Sequence, residues 1–315
     1  MSWLDHIHRD PVPWLLDPEN PSVRVLTLRH IFNRPEESLD AEYRALLAWK
    51  PVQTFLRYAN PVSFWGRSEN PFFGAAAGTF GILYTLAQLN VPRYDIILDA
   101  CEHLLNRGRL ADGRFAPDAV QPEIWLCYTG MALQLLNHFG FGDDPRVQSA
   151  CFTLTQAILQ QPQQLFCPIA GSECAAGFVK ALAGLESLPA AARTPENTQA
   201  MQQLADRLLR WPFDWERRHA DWLRLRFIRY YETDLLELAH VLAHSGNTEH
   251  PRLREFTLRL ATQQDDEGRW HKTRAAALEM QIERIFQPSR WLTFEAVHTM
   301  MLVYGGNAYA SRGTT

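Results

Sequence analysis

Gln264-Asp265-Asp266-Glu267-Gly268-Arg269-Trp270 places a glutamine, a glycine four residues on, and a tryptophan two further, between two helix-forming runs. Gly268 can take the positive φ that ends a helix at little cost. Trp270 can then fold back over the helix end, while Gln264 hydrogen-bonds end groups that lack partners. Arg109-Leu-Ala-Asp-Gly113-Arg-Phe115 repeats the glycine and aromatic offsets. Two such turns in one chain point to a repeat.

The helices on either side bear this out in their patterning. The runs at 22–33, 72–89, 124–139, 174–188, 231–244 and 291–304 are apolar on nearly all sides, the mark of a helix with no solvated face. Between them lie amphipathic runs at 39–58, 94–106, 145–160, 195–209 and 251–263. The apolar helices recur every ~50–60 residues. Pro145, Pro195 and Pro251 each stand where a first helical turn tolerates proline. No alternating strand pattern of any length occurs, so the chain is expected to be all-α. An open solenoid leaves a solvated face on both helices of each pair. Here one helix per pair has none, which predicts an inner barrel wrapped by an outer one, an (α/α)6 toroid. Residues 1–315 are expected to form a single domain, with the stretch at about 210–230 inserted as a lid.

Composition narrows the function. A hydrophobic content of 46% supplies a large core, and a net charge of −4 with well-mixed signs leaves no nucleic-acid footprint. No window approaches the ~20 apolar residues of a membrane span. The N-terminus has no apolar signal-peptide core. Five cysteines, an odd number, suit free thiols in a reducing, cytoplasmic setting.

The Gln264–Trp270 turn resembles the QW motif of squalene-hopene and oxidosqualene cyclases. Pro13-Trp-Leu-Leu-Asp-Pro-Glu-Asn-Pro-Ser-Val-Arg, Cys127-Tyr-Thr-Gly, Asp143-Asp-Pro-Arg-Val and Pro288-Ser-Arg-Trp-Leu-Thr resemble small bacterial terpenoid-cyclase-like, prenyltransferase/squalene-oxidase-repeat toroids. The resemblance implies a hydrophobic, isoprenoid substrate in a central cavity. The chain is about half the length of the triterpene cyclases and has neither their Asp-x-Asp-Asp acid motif nor the Asp-Asp-x-x-Asp metal motif.

In a toroid, residues that open each inner helix ring the cavity. Phe73, Trp125, Tyr128, Tyr231 and Trp291 are therefore candidate substrate or catalytic residues, because facing π-clouds stabilise carbocations without quenching them. The same side chains serve equally well as core. Asp234, hemmed by apolar neighbours, is the candidate acid; alternatively Asp234 and Glu237 are a helix cap. Arg226 belongs to a basic run suited to clamping a diphosphate or carboxylate, or to a solvated face. Cys127, Cys167 and Cys174 fall near inner-helix starts. Other toroid enzymes, the protein prenyltransferases and lanthionine cyclases, hold catalytic zinc with Cys, His and Asp, so these cysteines are candidate Zn²⁺ ligands. Their spacing matches no standard zinc site, and buried cysteine also packs as a small hydrophobe. Three functions stay open: a terpenoid-cyclase-like or prenyltransferase-like enzyme, a zinc-thiolate transferase or cyclase, and a non-catalytic toroid binding a lipid or peptide.

Overall fold

The computed structural model describes residues 2–117, 126–160, 165–167, 170–274, 282–306 and 309. Its helices are α1 (Val12–Leu15), α2 (Pro21–His30), α3 (Asp40–Ala48), α4 (Lys50–Arg57), α5 (Thr79–Gln88), α6 (Asp95–Arg107) and α7 (Leu126–His138). They continue with α8 (Pro145–Gln160), α9 (Ala175–Glu186), α10 (Pro195–Arg210), α11 (Leu235–His244), α12 (Pro251–Ala261) and α13 (Arg290–Tyr304). The only β-structure of more than isolated bridges among the described residues is one hairpin of two short strands, Phe166–Cys167 with Ser172–Glu173.

The chain is an all-α toroid. Helices α2, α5, α7, α9, α11 and α13 form the inner ring, with α5, α7, α9, α11, α13 and α2 packed in that order. Ser22 closes the circle: its Oγ donates to Leu89 O at 2.7 Å just beyond α5, and accepts from Trp291 Nε1 of α13 at 2.9 Å. The outer helices show why the two kinds of run differ. In α10 the buried residues are Asn197, Ala200, Met201, Leu204, Ala205, Leu208 and Leu209, a single stripe. In α5, by contrast, every residue from Thr79 to Leu86 is buried.

Some boundaries differ from the expected ones. The second inner helix starts at Thr79 rather than 72, because Gly74 at φ +88° and a 3-10 turn at Ala75–Ala77 break the apolar run. The outer run at 39–58 divides at Trp49, whose extended backbone lets α4 begin anew with a proline in its first turn.

The Gln264–Trp270 turn is built as its residues suggest. Gln264 Nε2 donates to Ala261 O at the end of α12, at 2.8 Å, and to His6 O at 2.9 Å. Gly268 sits at φ +70°, and a Cβ there would lie 2.0 Å from Arg9 O. Trp270 is fully buried, and its Nε1 donates to Leu260 O at 2.8 Å. Its backbone N–H donates to Thr293 Oγ1 on the next inner helix at 3.0 Å. Phe115 and Trp65 repeat this last bond, to Thr129 at 3.1 Å and Thr79 at 3.0 Å. One aromatic turn thus pins an outer-helix end to an inner helix at three places around the ring.

Candidate active site

The inner helices hold several titratable residues where packing alone calls for none. Helices α7 and α9 approach so closely that a Cβ on Gly130 would meet Lys180 O at 2.2 Å. Lys180, in the middle of α9, is completely buried, and its Nζ donates to Glu237 Oε1 of α11 at 2.6 Å. Glu237 follows the N-cap Asp234, whose Oδ1 accepts from Glu237 N at 2.9 Å. The other carboxylate oxygen of Asp234 accepts from Arg226 N at 3.0 Å and Arg229 Nε at 3.1 Å. Arg229 also grips Glu295 of α13 with both carboxylate oxygens, at 2.8 and 2.9 Å.

Two cations, Lys180 and Arg229, therefore face three carboxylates, Asp234, Glu237 and Glu295. Buried charge that is not balanced is costly, so a cluster of this composition favours holding one proton. Glu295 is the member placed to hold it. Burial raises its pKa to about 7, against the opposing pull of Arg229. It is also the most accessible of the three, with 15% of its side chain accessible against 8% for Glu237 and none for Asp234.

Around this cluster stand two different surroundings. At the end where the inner helices begin, the loop Leu225–Tyr230 is buried among them. Phe227 stacks on Trp291 at 4.5 Å, and Tyr230 meets Phe80 and Tyr128 edge-on. Arg229 of this loop exchanges two hydrogen bonds with Gln88, its N–H donating at 2.9 Å and its carbonyl accepting at 2.7 Å. The sequence reading puts the cavity at this end, but here the loop fills the space. A cavity of about 590 Å³ lies instead at the C-terminal ends of the inner helices, among Arg29, Tyr84, Glu186, Arg193, His240 and His244. A neighbouring space of about 1080 Å³ shares Arg29, Asn90, Asn137 and His138 with it.

A group of histidines lines this second end. His240 and His298 lie 5.8 Å apart between ring centroids, His244 and His298 5.1 Å, and His30 and His298 5.1 Å. Burial lowers all four pKa values, His30 to about 4 and His298 to about 3, so the rings are neutral at neutral pH.

The residues singled out from sequence scatter over these regions. Asp234 and Arg226 are brought together, though the Arg226 guanidinium itself pairs with Asp221 at 2.7 Å. Tyr128 is half-buried in the aromatic layer, and burial pushes its hydroxyl up to about 12. Tyr231 and Phe73 are 49% and 46% exposed, with Arg67 lying over the Phe73 ring. Trp291 is buried in the ring closure, and Trp125 lies outside the described residues. Cys127, Cys167 and Cys174 are close enough to influence one another, and burial first, then these neighbours, pushes Cys127 up to about 12. Their sulfurs nonetheless do not gather at metal-ligand spacing. Among the described residues the one group of three that does is His240, His244 and His298.

Sequence reasoning passed over Lys180, Glu237 as an ion-pair partner, Glu295 and these histidines. Their signal was available: each is a titratable residue inside a helix read as apolar all round. No helix among the described residues is long and apolar enough to cross a membrane.

No family model matches the chain, and no curated protein is similar to it at a significant level. Among solved structures it is similar to type II terpene cyclase MstE from Scytonema. A variant in complex with geranylgeranyl dihydroxybenzoate shares 14% identity over 85% of this chain and 98% of that one, with a TM-score of 0.32. A variant in complex with merosterolic acid A shares 14% over 85% and 99%, at 0.33. The apo enzyme shares 15% over 84% and 98%, at 0.31.

Proposed function

We propose that this chain is an enzyme that exchanges a proton with a small, mostly apolar molecule of isoprenoid type, using Glu295 as the acid–base group. The observation that carries this reading is the buried cluster of two cations and three carboxylates, whose most accessible carboxylate is Glu295. A carboxyl group with a pKa of about 7 is matched to giving and taking protons near neutral pH. It is too weak an acid to protonate an isolated alkene, but suits transfer beside a carbonyl or at an allylic carbon. The reading is thus an isomerase or lyase rather than a cation-cascade cyclase. Neutral imidazoles and carboxylates around the ring axis favour the same choice, since each is a nucleophile that traps a free carbocation.

The isoprenoid class rests on the sequence resemblance; of the aromatic layer of Phe72, Phe80, Tyr84, Tyr128 and Tyr230, Tyr84 alone reaches the cavity wall. Arg29 and Arg193 line the cavity, paired with Glu36 at 3.2 Å and Glu186 at 3.3 Å, and an anionic head group would compete with these carboxylates for them. The test is isotope exchange. Prenyl diphosphates, prenols and prenoic acids are incubated with the protein in D₂O and analysed by mass spectrometry. Deuterium should enter at least one probe with wild type and not with Glu295→Gln. Absence of exchange from all of them, or equal exchange by the variant, defeats the proposal.

A further inference from the structure

We propose that His240, His244 and His298 form a three-imidazole site for a divalent transition metal, zinc in type, with its fourth position open to the cavity. One ring nitrogen from each lies within 4.8 Å of the other two. His240 and His244 stand four residues apart on α11, and so on one face of the helix; α13 brings in His298 from the neighbouring inner helix. Three imidazoles plus an exchangeable ligand is a known catalytic zinc arrangement.

The hydrogen bonds around the rings leave ligand lone pairs free. Thr299 Oγ1 donates its only hydrogen to Glu295 O at 2.7 Å. Towards His240 Nδ1, at 2.9 Å, the same hydroxyl must therefore accept. Nδ1 then carries the ring hydrogen, and Nε2 keeps its lone pair for a metal. Such an outer partner fixes tautomer and orientation in metal-ligating histidines. His244 Nε2 is buried and has no hydrogen-bond partner, an otherwise costly state. Its other nitrogen faces Glu186 Oε1 at 4.0 Å. Burial keeps the three rings neutral, the form that binds metal. Nitrogens sharing one tetrahedral zinc at ~2.0–2.1 Å lie ~3.4 Å apart, so binding draws the rings inward. His240 and His244 both line the cavity, which gives the ion a route in and a place for water or a substrate oxygen.

The site is independent of the proton-transfer reading and is tested without a substrate. Protein stripped with a chelator is titrated with Co²⁺, followed by visible absorption and by elemental analysis. Wild type should bind one Co²⁺ per chain with tetrahedral ligand-field bands and no thiolate charge-transfer band. His244→Gln and His298→Gln should each weaken binding at least ~100-fold, and Thr299→Val by ~10–100-fold as an outer partner. Cys127→Ser should bind as wild type does. His244, with 27% of its side chain accessible, is the variant most apt to fold normally, as checked by circular dichroism. No stoichiometric binding by wild type, binding indifferent to the histidine variants, or a thiolate band lost in Cys174→Ser each overturns the assignment.

Discussion

Replacing Lys180 by methionine keeps most of the side chain's volume and deletes its charge. Lys180 is completely buried and Glu237 is 6% exposed, so the variant leaves a carboxylate in the interior without its partner. Removing one member of a buried pair costs ~3–5 kcal/mol. The upper half of that range applies here, because Glu237 Oε2 is already without a partner and Oε1 depends on Lys180 alone. Converting both members, Lys180→Met with Glu237→Leu, should recover most of the loss and end within ~2 kcal/mol of wild type, since the desolvation of both ions is then relieved. The N-cap survives in the double variant, because Asp234 bonds to the backbone N–H of residue 237. Urea unfolding with an unchanged m-value is the assay. A Lys180→Met cost under ~1 kcal/mol, or a double variant whose loss equals the sum of the singles, would refute the reasoning.

Trp270→Ala removes a fully buried indole and the bond that covers the end of α12, and should cost ~3–5 kcal/mol by chemical denaturation. Gly268→Ala forces a Cβ against Arg9 O at positive φ and should destabilise by more than ~1 kcal/mol in the same assay. In the metal-free protein the histidines set the acid limb of stability. Their folded pKa values lie below the ordinary 6.5, so their contribution is complete above pH 6.5 and is lost as pH falls towards the values of about 4 for His30 and about 3 for His298. Glu295 runs the other way: its folded pKa is raised from 4.5 to about 7, so its contribution is complete below pH 4.5 and lost as pH rises through 7. Melting temperature against pH should show both slopes, with His298→Gln flattening the acid limb and Glu295→Gln the neutral one.

The ring was legible because burial leaves a direct trace in sequence: α9 and α5 lack a polar face, while α10 carries a single apolar stripe. The boundary error at Phe72–Gly78 arose because composition cannot tell an apolar helix from an apolar turn; the backbone of Gly74 decides it. The site was harder to read. Weight fell on aromatic residues opening each inner helix, and several of these are packing or surface groups in the structure. The polar groups lie within the helices: Lys180 in α9, Glu237, His240 and His244 in α11, Glu295 and His298 in α13. Each interrupts an apolar helix and could have been flagged. Their pairing could not, because Lys180 and Glu237 are 57 residues apart and His240 and Thr299 are 59 apart, so both meet only once the ring forms. Asp234 shows the middle case. Its role as a cap was open to sequence; the Arg229 that shares its carboxylate comes from an irregular loop with no periodicity to place it.

The central claim is that the buried cluster raises the pKa of Glu295 so that it gains and loses its proton near neutral pH. Carbon-13 labelling of glutamate carboxyl groups, followed by NMR across the pH range, tests it directly, with Glu295→Gln identifying the resonance. The account predicts one carboxyl signal that titrates near pH 7 in wild type and is missing from the variant. A Glu295 signal that titrates near the ordinary 4.5 would contradict it.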